Sequence, residues 1–298
     1  MTIGDRAERS AGGASRSGMR KVLKLGILLV VGLWAGTVGA VEAPGKVEGW
    51  AQADSKHFRV YLEKADKITP GEVVGAVEAF SAAADKDLGL QMAETEPVAV
   101  YVFSTKAGLV DYLAGQGQSR TAEGWCHCGN GSAFITTYRR ERETFETLCA
   151  RLRHEVTHLV LFRDAPKGEK LPTWLNEGLA VYYEDAKMGE AGNIAGVKLN
   201  EGRLHAIRGA IRVGMTEPLK KHLERREGEH WDGTKSLQSW SVVLWLKSTI
   251  PEKLGEYVRS AGGEKDTVGW FEKVMGMKVE EGEKEWKEYM LGARAGKK

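Results

Sequence analysis

Short runs of apolar and polar residues fill the first half of the chain and predict strands. Residues 57–63, HFRVYLE, alternate apolar and polar side chains, which is typical of a strand with one buried face. Residues 97–103, PVAVYVF, form an apolar and largely β-branched run, as expected for a strand that is buried on both faces. After a glycine-rich loop, residues 132–138, SAFITTY, predict a third strand.

Helical patterns separate the predicted strands. Residues 70–88 begin with Pro-Gly and are rich in Ala, Val and Glu, which predicts a helix. Residues 104–113, STKAGLVDYL, predict a second helix with Ser104 as its N-cap. Strands that alternate with helices indicate a mixed α/β arrangement in this part of the chain.

The second half of the chain has a different pattern. From Thr144 onward the apolar spacing is helical, and after Pro172 we expect no strand of any length. The sequence therefore predicts an α+β fold, with a mixed α/β lobe over residues 41–170 and a helical lobe over residues 171–298.

The amino-terminal segment has the pattern of an export signal. Basic residues in RKVLK, residues 20–24, precede an apolar run over residues 25–40, and Val38 and Ala40 supply the small side chains that a signal peptidase reads. The apolar run has 16 residues, whereas a membrane-spanning helix needs about 20. We therefore predict a signal peptide over residues 1–40 and an exported protein of the periplasm, cell envelope or extracellular space. An uncleaved membrane anchor is the alternative, and only in that case is a membrane a partner.

Composition and charge narrow the classes of partner. Hydrophobic residues make up 42% of the 298 residues and charged residues 28%, a balance that is typical of a globular protein. The formal net charge is +2. Residues 1–40 carry six basic and two acidic side chains, so the remainder of the chain has a net charge of −2. A nearly neutral body gives no electrostatic reason to expect a nucleic-acid partner.

Three cysteines are too few for a disulfide scaffold. In an exported protein one disulfide can form, most naturally between Cys149 and either Cys126 or Cys128. The run WCHCGNG, residues 125–131, also suggests a Cys-His-Cys metal cluster. We favour a disulfide or small buried thiols in a glycine-rich loop, because a closed zinc site needs four ligands and no fourth ligand stands nearby.

The clearest candidate chemistry lies in residues 144–162, TFETLCARLRHEVTHLVLF, where apolar residues at helical spacing form a stripe that faces the core. His154 and His158 are four residues apart, so their imidazoles lie one turn apart on the same helix face and can bind one metal ion. Glu155 is rotated about 100° around the helix, where it can reach a water molecule at the metal but is poorly placed as a ligand.

Glu177 is the candidate third ligand. The chain has room to reverse before Pro172, which is well placed to open a second helix. Glu177 lies near the start of that helix, and Gly178 beside it permits close helix packing. Two histidines and one glutamate are the zinc ligands of thermolysin, with a fourth position open for water and substrate. We therefore expect one zinc ion. The alternative, a surface helix with solvated histidines, fits poorly with the apolar stripe beside them.

At these residues the chain resembles the gluzincin zinc metallopeptidases. HEVTH and WLNEGLAVYYE look like the paired motifs of the aminopeptidase N-type branch, including the 18 residues between His158 and Glu177. Over residues 50–292 the chain also resembles a little-characterised group of exported, peptidase MA-like proteins, at HFRVYLE, AVYVF, NEGRLHAI, QSWSVVLWL and EWKEYM. The resemblance implies a thermolysin-like catalytic domain with its site between the two lobes. It also implies that Glu155 is the general base and acid and that the zinc ligands are His154, His158 and Glu177.

The resemblance also extends to residues that would support the ligands. Glu184 stands seven residues after Glu177 on the same helix face, where aminopeptidase N-type enzymes keep a supporting carboxylate. From the pattern alone, Glu184 is equally a solvated surface charge. Asn176 is a further candidate for a supporting role.

One departure from the resemblance concerns the oxyanion. Gluzincins of this branch usually carry a Tyr that helps to stabilise the tetrahedral oxyanion. Here Ser236 stands in the comparable position, and its side chain is too short to reach the same distance without a bridging water. His230, Tyr182 and Tyr183 are candidate substitutes, and each can also be an ordinary structural residue.

A second departure is the absence of the glycine-plus-acid motif that anchors a free amino terminus in aminopeptidases. Residues 129–138, GNGSAFITTY, occupy about that place. An edge strand there could pair with an extended peptide backbone. This favours an endopeptidase over an aminopeptidase, with a peptide or protein as substrate.

These inferences predict an exported zinc-dependent metallopeptidase that hydrolyses peptide bonds with a water molecule activated by zinc and Glu155. The competing hypothesis is a catalytically weak or inactive zinc-containing protein of the gluzincin fold that serves as a binding or scaffold protein of the cell envelope. The missing Tyr favours the second hypothesis. The intact Glu155 favours the first, because a purely structural site needs no such carboxylate.

Overall fold

The computed structural model describes residues 43–44, 48–90, 96–117, 123–129, 132–164, 171–225, 231–261 and 266–292. The predicted signal peptide, residues 1–40, lies outside the described residues, and so does His230. Within the described ranges, no helix combines the length and the apolar character that crossing a membrane requires.

A five-stranded mixed sheet forms the amino-terminal part of the fold. Its strands are β1 (Ala51–Asp54), β2 (Phe58–Leu62), β3 (Val98–Phe103), β4 (Gly124–Gly129) and β5 (Ser132–Tyr138). Their order across the sheet is β1-β2-β3-β5-β4. β2, β3 and β5 run parallel, whereas β1 and β4 lie antiparallel to their neighbours at the two edges.

Helices make up most of the remaining described chain. Two of them connect strands of the sheet, α1 (Pro70–Leu88) and α2 (Lys106–Gly115). Two more follow the sheet, α3 (Phe145–Asp164) and α4 (Thr173–Glu184), and a hairpin of β6 (Ala186–Met188) and β7 (Ile194–Val197) comes next. The rest is helical: α5 (Glu201–Arg212), α6 (Leu219–Leu223), α7 (Gly233–Thr249), α8 (Pro251–Ala261), α9 (Thr267–Met275) and α10 (Val279–Gly292). The chain is thus a mixed α/β fold.

α1 begins and ends where the sequence predicts because both ends carry strong local signals. The Thr69 side chain accepts a hydrogen bond from the backbone N–H of Glu72, and the Glu72 carboxylate accepts one from the backbone N–H of Thr69. Pro70 occupies the first turn, where no backbone donor is needed. Gly89 follows the helix at a φ of 64°, a left-handed conformation that glycine adopts without strain.

β4 is the main correction to the predicted sheet. The segment that the sequence predicts as a glycine-rich loop is a strand, and β5, the predicted edge strand, lies inside the sheet between β3 and β4. Glycines and small thiols give a weak strand signal. The ladder with β5 stabilises an extended backbone in this segment in spite of its weak propensity.

Two smaller predictions are also wrong. The N-cap of α2 is Thr105, whose side chain accepts a hydrogen bond from the backbone N–H of Gly108, and not Ser104. The β6–β7 hairpin contradicts the expectation that no strand follows Pro172. Its strands have only three and four residues, too few for a period-two pattern to stand out.

The two faces of the sheet bury separate hydrophobic clusters. The larger cluster joins the sheet to α1 and α3 through residues that include Phe58, Val60, Val77, Phe80, Val100, Ile135, Leu152 and Val156. The smaller cluster joins the opposite face to α2 through residues that include Tyr101, Phe103, Leu109, Leu113 and Phe134. β4 contributes to both clusters because its side chains alternate between the two faces. α3 is therefore held against the face of the sheet that carries Cys126.

A close helix contact at Gly178 fixes α4 against α7. A Cβ at this position would lie 2.8 Å from Ser239 O and 2.8 Å from Val243 Cγ2. The prediction that Gly178 permits close packing is confirmed. Since Glu177 precedes this glycine, the same contact sets the position of the Glu177 side chain.

Candidate metal centre

α3 and α4 bring His154, His158 and Glu177 together, and these three residues form what we call the His-His-Glu cluster. One ligand atom from each residue lies within 4.8 Å of the other two. Glu177 Oε2 is 4.0 Å from His154 Nε2, and Glu177 Oε1 is 3.9 Å from His158 Nε2. All three side chains are buried, so the alternative of solvated surface histidines is wrong.

Each imidazole is oriented by an acceptor on its other ring nitrogen. His154 Nδ1 lies 2.8 Å from Glu184 Oε1, and His158 Nδ1 lies 3.1 Å from Asn176 Oδ1. Carboxylate and amide oxygens only accept hydrogen bonds, so both Nδ1 atoms donate. Both Nε2 atoms are then left for the centre of the cluster, which is the arrangement that a metal-binding imidazole requires. Glu184 is buried, so the alternative of a solvated surface charge is wrong.

Two arginines hold Glu184, and neither of them is predicted from the sequence. Arg203 of α5 forms an ion pair with Glu184 Oε2 and lies 2.6 Å from Asp185 Oδ2. Arg153 donates from Nε and Nη2 to the main-chain oxygen of Glu184, at 3.1 and 2.7 Å. A buried carboxylate needs such a partner, but the sequence does not tell which arginine supplies it. The motif NEGRLHAI contains Arg203 but does not connect it with Glu184.

Glu155 lies beside both the His-His-Glu cluster and strand β4. It is fully buried, and neither carboxylate oxygen has a hydrogen-bond partner among the described residues. Gly124 of β4 packs directly against it, since a Cβ at position 124 would lie 2.5 Å from Glu155 Oε1. The backbone N–H of Cys126 weakly favours the charged carboxylate but lies outside hydrogen-bonding geometry. Gly124 is not predicted from the sequence, because its role depends on the register of β4.

Burial dominates the electrostatics of the site. Burial raises the pKa of Glu177 to about 8 and that of Glu155 to about 7. Burial and the charge of His154 lower the pKa of His158 to about 3. Burial by itself lowers the pKa of His154, but the hydrogen bond with Glu184 and the nearby carboxylates raise it to about 9. The carboxyl groups of Glu155 and Glu177 therefore resist ionisation in the protein without a metal ion.

The unpartnered donor atoms of the cluster fit a metal ion. Three of its buried atoms lack a hydrogen-bond partner within the described ranges: His154 Nε2, His158 Nε2 and Glu177 Oε2. Ligands that bind zinc tetrahedrally at about 2.0–2.2 Å lie about 3.4 Å from one another. The two carboxylate-to-imidazole distances, 4.0 and 3.9 Å, join different oxygens of Glu177 and exceed this separation by about half an ångström, so the three residues could hold a metal ion.

The described tyrosines do not join the cluster. The Tyr183 hydroxyl donates to Asp87, at the end of α1, and the Tyr182 ring packs edge-on against Tyr183. Within the described part of the chain, neither tyrosine hydroxyl forms a hydrogen bond with the three unpartnered donor atoms of the cluster. Ser236 is buried in α7, and its Oγ accepts a hydrogen bond from Trp231 Nε1 at 2.8 Å.

The three cysteines are free thiols, which is the second of the two alternatives that the sequence favours, and Cys126 and Cys149 are buried. Cys126 Sγ and Cys128 Sγ lie 2.9 Å apart on β4. Cys149 lies on α3, and its pairing with either of them stays a prediction. Residues two apart on a strand share a face. His127 therefore points to the opposite face, where its ring packs against Phe134, and the Cys-His-Cys cluster does not form.

The segment that carries the candidate site matches a protein family. A family model described as "Protein of unknown function (DUF1570)" matches residues 148–267. No curated protein matches the chain. The matched segment runs from α3 to the first residue of α9 and includes the His-His-Glu cluster, Glu155, Glu184 and Arg203. The chain is therefore similar to this family over the segment that carries the candidate site, and the description of the family assigns no activity.

Proposed function

We propose that the chain is an exported zinc-dependent metallopeptidase. One observation carries the proposal: beside the buried, unpartnered carboxylate of Glu155, three buried and unpartnered donor atoms converge, from His154, His158 and Glu177. Structural zinc sites are closed by four protein ligands, whereas catalytic sites have three protein ligands and an open position. A set of three donors beside a free carboxylate supports a catalytic site.

The proposal includes a thermolysin-like arrangement of two lobes. In this arrangement, the sheet and α3 form one lobe, and the helices from α4 onward form the other. Two donors come from α3 and the third from α4, which supports a site at the boundary between the lobes. The packing of α3 against β4 and of α4 against α7 holds the two sides of the cluster in place.

The residues around the cluster have separate tasks in peptide hydrolysis. Zinc, when bound, supplies Lewis-acid polarisation of a water molecule and of the peptide carbonyl. Glu155 takes the proton of the attacking water and passes it to the leaving amine. Its pKa, raised by burial to about 7, suits a group that both takes and gives a proton at neutral pH. Glu184 and Asn176 hold the imidazoles with their Nε2 atoms directed inward.

The open edge of β4 supports a site for the substrate backbone. No strand pairs with the outer side of β4 among the described residues. The sequence predicts this role for residues 129–138, but β5 lies inside the sheet, so we assign the role to β4 at the edge. An extended peptide that adds to a sheet edge is bound through its main chain and needs no free amino terminus. This supports an endopeptidase.

A second candidate function is supported by Ser236. In this alternative, the chain is a zinc-containing binding or scaffold protein of the cell envelope with little or no turnover. Ser236 Oγ already accepts a hydrogen bond from Trp231, and among the described residues no tyrosine hydroxyl forms a hydrogen bond with His154 Nε2, His158 Nε2 or Glu177 Oε2. Removal of one oxyanion donor costs about 10²–10³-fold in turnover, so a protein without a substitute donor turns over slowly.

A peptide-cleavage assay distinguishes the two functions. Zinc-loaded protein is incubated with a quenched-fluorescent peptide library that carries free or blocked amino termini. We expect the parent to cleave blocked peptides and Glu155→Gln to keep zinc without cleaving. Glu285→Gln, which removes an exposed charge on α10, is the matched control. If the folded, zinc-occupied parent cleaves no peptide, the result contradicts the peptidase and favours the binding protein. Loss of zinc from folded Glu155→Gln contradicts the role of Glu155.

A further inference from the structure

Two thiols lie side by side on the strand that borders the candidate site. Cys126 Sγ and Cys128 Sγ are 2.9 Å apart. Both belong to the face of β4 that packs against α3, where they contact the larger hydrophobic cluster. Gly124 lies on the same face, two residues before Cys126, and packs against Glu155. The hydrolytic mechanism uses neither sulfur.

We propose that Cys126 and Cys128 form a redox-active dithiol that reacts with small-molecule disulfides and closes to a disulfide within the strand. The oxidant is a low-molecular-weight disulfide such as oxidised glutathione. Under the proposed localisation, the exported protein meets an oxidising environment. The dithiol chemistry depends on neither zinc nor peptide hydrolysis.

The two cysteines have different accessibility, and this sets the order of the reaction. Cys128 is half-buried, whereas Cys126 is buried. Burial raises the pKa of the Cys126 thiol well above its ordinary value, although the charge of Arg163 acts in the opposite direction. Cys128 is therefore the thiol that meets a disulfide from solvent, and Cys126 is the thiol that resolves the intermediate.

The reaction is a two-step thiol–disulfide exchange. The Cys128 thiolate, after loss of its proton to solvent, attacks one sulfur of the external disulfide, and the other sulfur leaves as a thiolate that takes a proton from solvent. The Cys126 thiol then attacks Cys128 Sγ and breaks the mixed disulfide. Its proton leaves with the second small thiol. The protein loses two hydrogens and two electrons, and one external disulfide becomes two thiols.

The spacing of the cysteines makes the disulfide easily reducible. Residues two apart on a regular strand have Cα atoms about 6.6–6.8 Å apart, because the rise is about 3.3–3.4 Å per residue. A disulfide usually spans about 4.4–6.8 Å between Cα atoms, and most often about 5.5–6 Å. Two Cα atoms of a regular strand lie at the long end of this range, so closure to the most frequent length shortens β4 locally. Disulfides with such strained geometry are the labile ones, whereas relaxed structural disulfides resist reduction.

Shortening of β4 acts on the candidate site through Gly124. The Gly124 backbone forms part of the wall against which the Glu155 carboxylate packs. A displacement of this wall moves Glu155 relative to the His-His-Glu cluster. Under the proposed function, oxidation therefore lowers turnover, and reduction restores it.

Thiol mapping across a glutathione redox series tests the proposal directly. The parent is equilibrated with mixtures of reduced and oxidised glutathione, and the reaction is quenched with acid. The remaining thiols are alkylated, and the masses of the peptides are measured by mass spectrometry. We expect oxidised mixtures to protect two thiols from alkylation. The peptide that contains Gly124–Gly129 should then be lighter by two hydrogens than the same peptide with two free thiols. We expect that bond to open at a glutathione ratio at which a structural disulfide stays closed. Cys149→Ala is the matched control and should behave like the parent.

Single variants test the order of the steps. Cys126→Ala should accumulate a mixed disulfide with glutathione at Cys128, and Cys128→Ala should remain alkylatable at Cys126 only after unfolding. If the parent is quenched with acid and then unfolded before alkylation, alkylation of both thiols at every ratio would overturn the proposal, and so would a disulfide to Cys149. If a single variant fails to fold, the parent and Cys149→Ala still decide the question.

Enzyme turnover provides a separate measurement. If the parent cleaves peptides, we expect oxidation to lower its turnover by about 10²-fold, as for an ångström-scale misplacement of a reacting group. The Cys126→Ala, Cys128→Ala double variant should show the same turnover in oxidised and reduced mixtures. A chain that forms the disulfide but cleaves nothing contradicts only the proposed function. A chain that cleaves peptides but never forms the bond contradicts only the dithiol.

Discussion

The Glu184 carboxylate accepts a hydrogen bond of 2.8 Å from His154 Nδ1 and is itself paired with Arg203. This relationship fixes the ring of His154 so that Nε2 faces the other two donors of the His-His-Glu cluster. A hydrogen bond from the outer nitrogen to a carboxylate orients a ligating imidazole and raises its basicity. The metal affinity of the cluster should therefore depend on a residue that does not bind the metal.

Glu184→Gln tests this dependence. The amide oxygen of Gln can still accept from His154 Nδ1, but the negative charge next to Arg203 is lost. We expect zinc affinity to fall by about 10–100-fold, measured by competition with a chromophoric chelator. Glu285→Gln serves as the control, because it removes an exposed charge far along the chain. Unchanged affinity in Glu184→Gln would show that the negative charge of Glu184 does not tune the site.

Arg203→Met removes the cationic partner of a buried carboxylate. Glu184 loses its arginine and keeps the hydrogen bond from His154, and removal of one partner of a buried ion pair destabilises a protein by about 3–5 kcal/mol. We expect the free energy of unfolding in denaturant to fall by about 3 kcal/mol. The double variant Arg203→Met, Glu184→Gln removes both charges and should recover part of this loss. A double variant that is as unstable as the sum of the two single variants would contradict the pairing.

Gly178→Ala tests the contact that positions Glu177. The added Cβ would meet Ser239 O and Val243 Cγ2 at 2.8 Å, so α4 and α7 must separate. Overpacking of this kind destabilises by about 1–3 kcal/mol. Gly75→Ala on α1 is the matched control, because nothing lies within 4 Å of its added Cβ. We expect the control to stabilise by about 0.5–1 kcal/mol, as alanine does in a helix. Denaturant unfolding of both variants measures the difference in their free energies of unfolding.

The sequence predicts elements well where local signals are strong. α1 matches its prediction because a capping box, a proline and a glycine mark its ends. β2, β3 and β5 match because their apolar residues follow the periods of buried strands. β4 fails because Gly124, Cys126 and Cys128 have little strand propensity of their own, and the ladder with β5 decides their conformation.

The candidate site shows the same division between local and tertiary information. His154 and His158 are brought together by helix geometry alone, and the sequence predicts their juxtaposition. Whether Glu184 is buried or solvated depends on what packs over α4, so the sequence leaves both alternatives open. Arg203 reaches Glu184 only because the β6–β7 hairpin returns the chain to α4. No period or motif within one element contains that information.

Glu217 gives the protein a pH-dependent stability away from the site. The hydrogen bond with Arg225 is the main cause that lowers the pKa of Glu217 to about 2, against an ordinary value of 4.5. A folded-state pKa below the unfolded value contributes stability above pH 4.5, and this contribution is lost as the pH falls from about 4.5 towards 2. We expect Glu217→Gln to lose stability less steeply than the parent over that interval. Denaturant unfolding at a series of pH values measures both slopes, and parallel profiles would contradict the assignment.

Gly124→Ala separates the position of Glu155 from the binding of metal. A Cβ at position 124 would lie 2.5 Å from Glu155 Oε1 and 2.9 Å from its Cδ, so the carboxylate must move. The three donor atoms of the His-His-Glu cluster do not contact this glycine and should keep their geometry. Under the proposed function we expect turnover to fall by about 10²-fold, as for an ångström-scale misplacement of a reacting group.

The comparison of turnover with zinc content makes the Gly124→Ala result specific. The variant should retain zinc at the affinity of the parent, measured with the same chelator, while its rate of peptide cleavage falls. Gly75→Ala, whose added methyl meets no atom, should change neither quantity. A variant that loses zinc together with activity would show that β4 supports the ligands rather than Glu155. A variant that keeps full turnover would show that Glu155 does not act from the position against β4, and the general base would then have to be another group.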